Sequence, residues 1–260
     1  MSTGKEEPTT LSPVERQAII LEKINAAGRV TAVDLAQEFK VSEDSIRRDL
    51  RELVDARVVQ RFHGGAARLV TPALDFHRRE TLGTEEKQRI GRAAAAAIPE
   101  GATLLVDTST TVVQFIRQLP PTLSVRIFTS SVDVAGAGLD HPLAEVTLLG
   151  GRLSKFTRSA TGASAIDAVR GLKVDFCVLG TCGVDDDLTL RADDLEDAFF
   201  KKAMIKASNK TLVLALSDKL GQVATHEVAP ISVVSQLFTT SQNSSFLQRV
   251  REMGVDVQTA

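Results

Sequence analysis

At 260 residues the chain is long for one domain and ample for two, and 43% hydrophobic content supports a real core. A net charge of −2 excludes a wholesale polyanion binder but leaves room for a local basic patch, and two cysteines are too few for a disulfide framework or a four-cysteine zinc site. Nothing approaches the roughly 18 apolar residues of a membrane span, and residues 1–11 read as a polar, disordered tail with no signal-peptide core, so a cytoplasmic, reducing setting is expected.

Residues 12–68 read as one compact helical unit. Ser12-Pro13 is an N-cap followed by proline at the first helical position, and Ile19, Ile20, Ile24 and Ala27 recur near helical spacing until Gly28. Val30 is a short extended piece. Thr31 caps a second helix expected to carry Val33, Leu35, Ala36 and Phe39 inward. Ser42 caps a third, with Glu43 and Asp44 in its first turn and Ile46, Leu50, Leu53 and Val54 on one buried stripe. Ser45, Arg47, Arg48 and Arg51 fall off that stripe.

Arginine at this place has a chemical meaning, because its planar fork fits guanine edges and phosphate oxygens alike. In a helix-turn-helix the second helix reads bases with residues near its N-terminus. The residues expected to touch double-stranded DNA are therefore Ser42, Ser45, Arg47, Arg48 and Arg51. After the helix, 58–62 reads as a strand, Gly64-Gly65 as a hairpin turn and 66–69 as the returning strand, a wing with Arg61 and His63 near phosphate. From Arg47 to Arg68 six arginines face three acids.

The run GRVTAVDLAQEF-KVSEDSIRRDLREL and, after it, RFHGGA resemble the winged helix of the DeoR family of bacterial transcriptional regulators. Ile46 to Leu50 (IRRDL) and His63 to Ala66 (HGGA) carry the match. Asp55-Ala56-Arg57 departs from it where the family usually has glycine.

Residues 69–83, with a proline, mixed charges and no periodicity, read as a linker. A helix with an alanine run then extends from Thr84 through Ile98. Beyond it, strand patterns at 103–107, 125–129, 145–149, 175–180, 211–216 and 236–238 alternate with helical patterns at 112–119, 132–139, 163–169 and 194–208. That alternation predicts a second domain over 84–260 with an α/β fold, a doubly wound parallel sheet. Ligands of such sheets bind outside the carboxyl ends of the strands.

The residues just past the strand ends are mostly small, hydroxylated or glycine. Asp107, Ser109, Thr110 and Thr111 come after the first strand, Thr129, Ser130 and Ser131 after the second, Gly150 and Gly151 after the third, and Thr181 and Gly183 after the fourth. Hydroxyls and free N–H groups at helix starts suit an anion, and Lys201 and Lys219 could balance a phosphate. Neither a P-loop nor a GxGxxG motif occurs, so no cofactor is expected, and no catalytic or metal-binding set stands out.

EEKQRIGRAAAAAIPEGATLLVDTSTT, Leu149-Gly150-Gly151, Ala160 to Ala163, DFCVLGTCGV, EDAFFKKAMI and Lys219-Leu220-Gly221 resemble the sensor domain of the same family, itself similar to ribose-5-phosphate isomerase. The resemblance implies a repressor of sugar uptake or carbohydrate genes, released from DNA by a phosphorylated sugar or related metabolite. Ser109, Ser130-Ser131 and Leu216 depart from the family's usual glycine, Asn-Asn and aspartate. Two other readings stay open: an isomerase-like enzyme using Asp107, Glu196 or Asp197 with a lysine, and redox sensing at Cys182. A lone winged helix covers little DNA, so a homo-oligomer, dimer or tetramer, joined through the second domain is expected.

Overall fold

The computed structural model describes residues 11–27, 29–56, 58–62, 64–68 and 75–260. Contacts divide the chain into two compact units, Met1–Ala73 and Leu74–Ala260.

The first unit runs α1 (Pro13–Ala27), β1 (Arg29–Thr31), α2 (Ala32–Phe39), α3 (Glu43–Asp55), β2 (Val59–Phe62) and β3 (Gly65–Arg68). Each helix starts on a side-chain cap. Ser12 Oγ accepts from Glu15 N while the Glu15 carboxylate accepts from Ser12 N and Oγ, a reciprocal capping box. Thr31 accepts from Asp34 N and Ser42 from Ser45 N. Leu11, read from sequence as tail, has a carbonyl that accepts from Arg16 Nη1; residues 1–10 lie outside the described set.

Ile20, Ile24, Leu35, Ile46, Leu50, Leu53, Val59 and Ala66 form this unit's core. Val33 does not join it and is 47% exposed. Ala32, Leu35 and Ala36 share the inward face at three- and four-residue spacing, which turns Val33 outward. The wing is a three-stranded antiparallel sheet, order β1-β3-β2, so the short extended piece at Val30 supplies a full strand. Gly64 takes the left-handed conformation (φ +93°), whereas Gly65 is already paired with Phe62 and Thr31.

The second unit opens with α4 (Phe76–Glu80), inside the interval read as linker. Asp75 caps it by accepting from Arg78 N, and Phe76, only 1% exposed, seats it in the core. Five residues are too few to carry a readable period. Residues 69–74 lie outside the described set.

Then come α5 (Thr84–Ala95), β4 (Thr103–Val106), α6 (Thr110–Arg117), β5 (Val125–Thr129), α7 (Val132–Leu139), β6 (Ala144–Leu148), β7 (Arg152–Ser154), β8 (Ser159–Thr161), α8 (Ala163–Arg170), β9 (Val174–Gly180), β10 (Gly183–Val184), β11 (Thr189–Ala192), α9 (Leu195–Ala207), β12 (Ser208–Ala215), β13 (His226–Pro230), β14 (Gln236–Thr239), α10 (Ser244–Glu252) and β15 (Asp256–Thr259). Seven strands make one all-parallel sheet in the order β15-β14-β12-β9-β4-β5-β6. Residues alternate between two cores. Leu104, Val106 and Ile127 face Ile90, Phe115 and Val134 from α5, α6 and α7. Leu105, Leu179 and Val213 face Val169, Met204 and Phe246 from α8, α9 and α10. The sheet is therefore doubly wound, as predicted.

A small antiparallel sheet, β10-β11-β13, and the β7–β8 hairpin are additions that the strand patterns did not foretell. The chain steps from β4 through β5 to β6 on one side, then returns to lay β9 on the other side of β4. The gap between β4 and β9 at their carboxyl ends is thus the topological switch point, where doubly wound sheets bind ligands. No described helix is long and apolar enough to cross a membrane.

Candidate functional site

In the first unit, Arg47, Arg48 and Arg51 are exposed on α3, Ser42 is exposed at its cap and Ser45 is half-buried. Asp49 is not on that surface. It is buried against Arg16, whose Nε lies 2.5 Å from Asp49 Oδ2 and whose Nη2 lies 3.1 Å from Oδ1. One of the three acids counted against the basic patch is thereby removed from the face offered to solvent. Arg47 is engaged along its own helix by Glu43 (2.7 Å) and Asp44 (3.6 Å). Among the described residues, no ion pair engages Arg48, Arg51 or Arg61, and all three are exposed. Gly64 is exposed at the wing tip and Gly65 is buried. His63 lies outside the described residues.

In the second unit, Asp107 follows β4 and Gly180 ends β9, so both stand at the switch point. Asp107 is fully buried. Its Oδ2 accepts from Gly180 N at 2.9 Å and from Lys201 Nζ at 2.5 Å. Lys201, 4% exposed on α9, also meets Asp197 Oδ1 at 3.3 Å. Burial alone would lower the lysine pKa; the carboxylates of Asp107 and Asp197 outweigh it and hold the ammonium above its ordinary range. Lys201 therefore does not act as the spare cation expected from sequence, because two carboxylates already share it.

Two buried polar atoms have no partner here, Asp107 Oδ1 and Ser130 Oγ. They follow neighbouring strands at matched positions, since Val106 pairs with Thr129. Such atoms normally carry a bond to protein, water or ligand. Four other predicted hydroxyls make local bonds. Ser109 caps α6 by accepting from Val112 N, and Ser131 caps α7 by accepting from Val134 N. Thr129 Oγ1 accepts from Ser131 N. Thr181 Oγ1 donates to Gly183 O. Thr110 and Thr111 are buried in the first turn of α6. Gly150 and Gly151 are exposed beyond β6.

Gly183 serves packing, since a Cβ there would overlap the backbone carbonyl of Gln222. A Cβ on Gly180 would overlap Ser109. Lys219 stands apart from the buried triad, half-exposed and 3.2 Å from Asp218.

Sequence reasoning named Asp197 only as a candidate carboxylate of the enzyme reading, where the structure pairs it with Lys201, and it missed Lys87. Lys87 is 5% exposed on α5, and its Nζ donates to the carbonyl of Arg79. The signal was present: Lys87, Ile90, Gly91, Ala94 and Ala95 share the buried face of α5, so a lysine sits on an apolar stripe. Burial pushes the Cys182 thiol up to about 11, with Asp193 and Asp197 adding to it, so a reactive thiolate is disfavoured at neutral pH. Among the described residues, no group of three His, Cys, Asp or Glu side chains could hold a metal ion.

The DeoR-like helix-turn-helix domain matches residues 16–71, and the DeoR C-terminal sensor domain matches residues 83–241. The glycerol-3-phosphate regulon repressor of Escherichia coli (strain K12) is 32% identical over 231 residues, covering 88% of this chain and 91% of its own. The HTH-type transcriptional repressor GlcR of Bacillus subtilis (strain 168) is 29% identical over 249 residues, covering 94% and 95%. Among solved structures, ribose 5-phosphate isomerase A from Methanocaldococcus jannaschii has a TM-score of 0.39 and 18% identity, covering 53% of this chain and 54% of that one. The relatives are named as repressors, which sets the isomerase reading aside.

Proposed function

The chain belongs to the DeoR family of transcriptional regulators, and from that premise we propose that it represses genes of sugar or sugar-phosphate metabolism and leaves its operator when a phosphorylated metabolite binds the second unit. On this reading α3 enters the major groove with Ser45, Arg47 and Arg48 leading, while Ser42, Arg51 and the wing residues Arg61, His63, Gly64 and Gly65 meet the backbone. The exposed Arg48, Arg51 and Arg61 favour this assignment, since no ion pair among the described residues neutralises their charge.

The observation that carries the effector half is the orphaned Asp107 Oδ1 at the switch point, beside Ser130 Oγ. A carboxylate oxygen and a hydroxyl suit the hydroxyl groups of a polyol or sugar. The triad Asp107–Lys201–Asp197 holds two acids against one base, so the phosphate belongs elsewhere in the pocket. The operator symmetry common to helix-turn-helix proteins favours a dimer or tetramer joined through the second unit. A cytoplasmic setting follows from the role.

The test is fluorescence anisotropy on DNA upstream of the chain's own gene, with glycerol 3-phosphate and hexose phosphates titrated in at fixed salt. Sequence-specific binding that one phosphorylated compound reverses is the expected result. Equal affinity for operator and scrambled DNA would reject the proposal.

A further inference from the structure

The charges around Lys87 do not balance. Lys201 is matched by two carboxylates, but the only hydrogen-bond partner of the buried Lys87 ammonium among the described residues is a neutral one, the backbone carbonyl of Arg79. Arg79 and Lys219 add positive field at that ammonium, opposed by Asp218 and Glu80. Both of those acids are engaged elsewhere: Asp218 pairs with Lys219, and Glu80 lies 3.9 Å from Arg117. Leu216, at the carboxyl end of β12, packs against Gly83 at the foot of α5 and brings no charge. Arg79 Nε is buried with no partner. Three cations thus converge with a carboxylate deficit at the end of the sheet where the strands point.

The single bond that Lys87 makes has a mechanical meaning. Arg79 lies in the last turn of α4, where its carbonyl also accepts from Leu82 N at 3.3 Å, and a cation beside it favours the helix's carbonyl end. The helix is short. Besides Lys87, its contacts include buried Phe76, Phe76 N donating to Phe156 O at 3.0 Å, His77 Nε2 at 3.4 Å from Arg158 Nη1, and Glu80 near Arg117. It is also the first described element after β3, so α4 is where the chain arriving from the DNA-binding unit is fastened.

We propose that Lys87 is a shared ammonium: without ligand it fastens α4 through the Arg79 carbonyl, and with ligand it turns, together with Lys219, to the phosphate of the bound metabolite and releases the last turn of α4. This rests on the effector reading above and adds its ligand polarity and its output. The hydroxyl end of the ligand meets Asp107 and Ser130; the dianionic end meets Lys87 and Lys219. Burial, and next the charge of Arg79, lower the Lys87 pKa to about 8, as befits a buried ammonium lacking a counter-ion.

The test is hydrogen–deuterium exchange on the full chain, following peptides that cover residues 75–82, with and without the phosphorylated compound that releases DNA. Faster exchange on binding is expected. Lys87→Met should show fast exchange before any ligand is added and lose at least tenfold in ligand affinity. In case Lys87→Met does not fold, Lys219→Gln should weaken ligand binding while leaving the unliganded exchange of α4 slow. DNA release with no change at residues 75–82, or full ligand affinity in both variants, overturns this inference and leaves the repressor reading standing. Failure of every phosphorylated compound to release DNA overturns both.

Discussion

Lys201 Nζ lies 2.5 Å from Asp107 Oδ2 and 3.3 Å from Asp197 Oδ1, so one buried ammonium answers two carboxylates at the switch point of the sheet. Removing the ammonium strands both acids. Lys201→Met should destabilise the protein by about 3–5 kcal/mol, the usual effect of deleting one partner of a buried ion pair. Urea denaturation at neutral pH measures it. A cost below about 1 kcal/mol would mean that the triad is solvated.

The same reasoning applies to the first unit, where Asp49 is buried against Arg16. Asp49→Ala should cost about 3–5 kcal/mol and abolish operator binding by unfolding α1 from α3, without any DNA contact being lost. Circular dichroism during denaturation separates the two effects. Full helicity and native stability with DNA binding gone would instead make Asp49 a contact residue.

The three acids counted within the basic stretch show how far sequence carries. The caps at Ser12, Thr31 and Ser42 and the stripe Ile46-Leu50-Leu53 are local, so they were legible and the helices formed there. The burial of Asp49 depends on Arg16, 33 residues away. No pattern within α3 reveals it. The same holds for the sensor. Strand ends could be placed by alternation, which brought Asp107 and Ser130 into view, while Lys201 stood on a helical pattern. Which of their atoms are already bonded depends on Asp197, on Gly180 N and on the neighbouring caps. Short elements such as α4, β7, β8 and β10 carry too few residues to show a period, and tertiary contacts decide them.

Free and engaged arginines on α3 should behave differently. Arg48→Ala removes an exposed side chain with no partner in the described residues and should weaken operator binding by about 1–3 kcal/mol, with relaxed specificity if it reads a base. Arg61→Ala, on the wing, should weaken operator and scrambled DNA alike and reduce the salt slope by about one. Arg47→Ala should cost less than Arg48→Ala, because Arg47 must leave Glu43 to reach DNA. Anisotropy titrations across a salt series give all three. Equal losses would show that the ion pair does not compete.

Gly180 is required for close approach. A Cβ there overlaps Cβ and Oγ of Ser109, and β9 cannot retreat because β4 and β12 flank it in the sheet. Gly180→Ala should cost about 1–3 kcal/mol, the range for overpacking a filled core. Ser109→Gly in the same chain removes the opposing atoms and should restore most of that loss. A double variant no better than Gly180→Ala alone would place the strain elsewhere.

Lys87 gives a pH signature whose direction is fixed by its lowered pKa. The native value is about 8 and the ordinary value 10.5. Below about pH 8 the folded and unfolded chains both hold the proton, and folding carries the full cost of burying the charge. Between about pH 8 and 10.5 the unfolded chain keeps a proton that the native chain has lost, so stability rises with pH through this window. Above 10.5 neither state holds it and the rise ends. Lys87→Met lacks the titrating group, while every other ionisable group is common to both chains. The stability of wild type minus that of Lys87→Met should therefore climb between about pH 8 and 10.5 and stay flat below about pH 7. Paired urea titrations across that range measure it. A difference that stays level throughout, or falls, would show that the Lys87 ammonium is balanced in the native state by a group other than the Arg79 carbonyl.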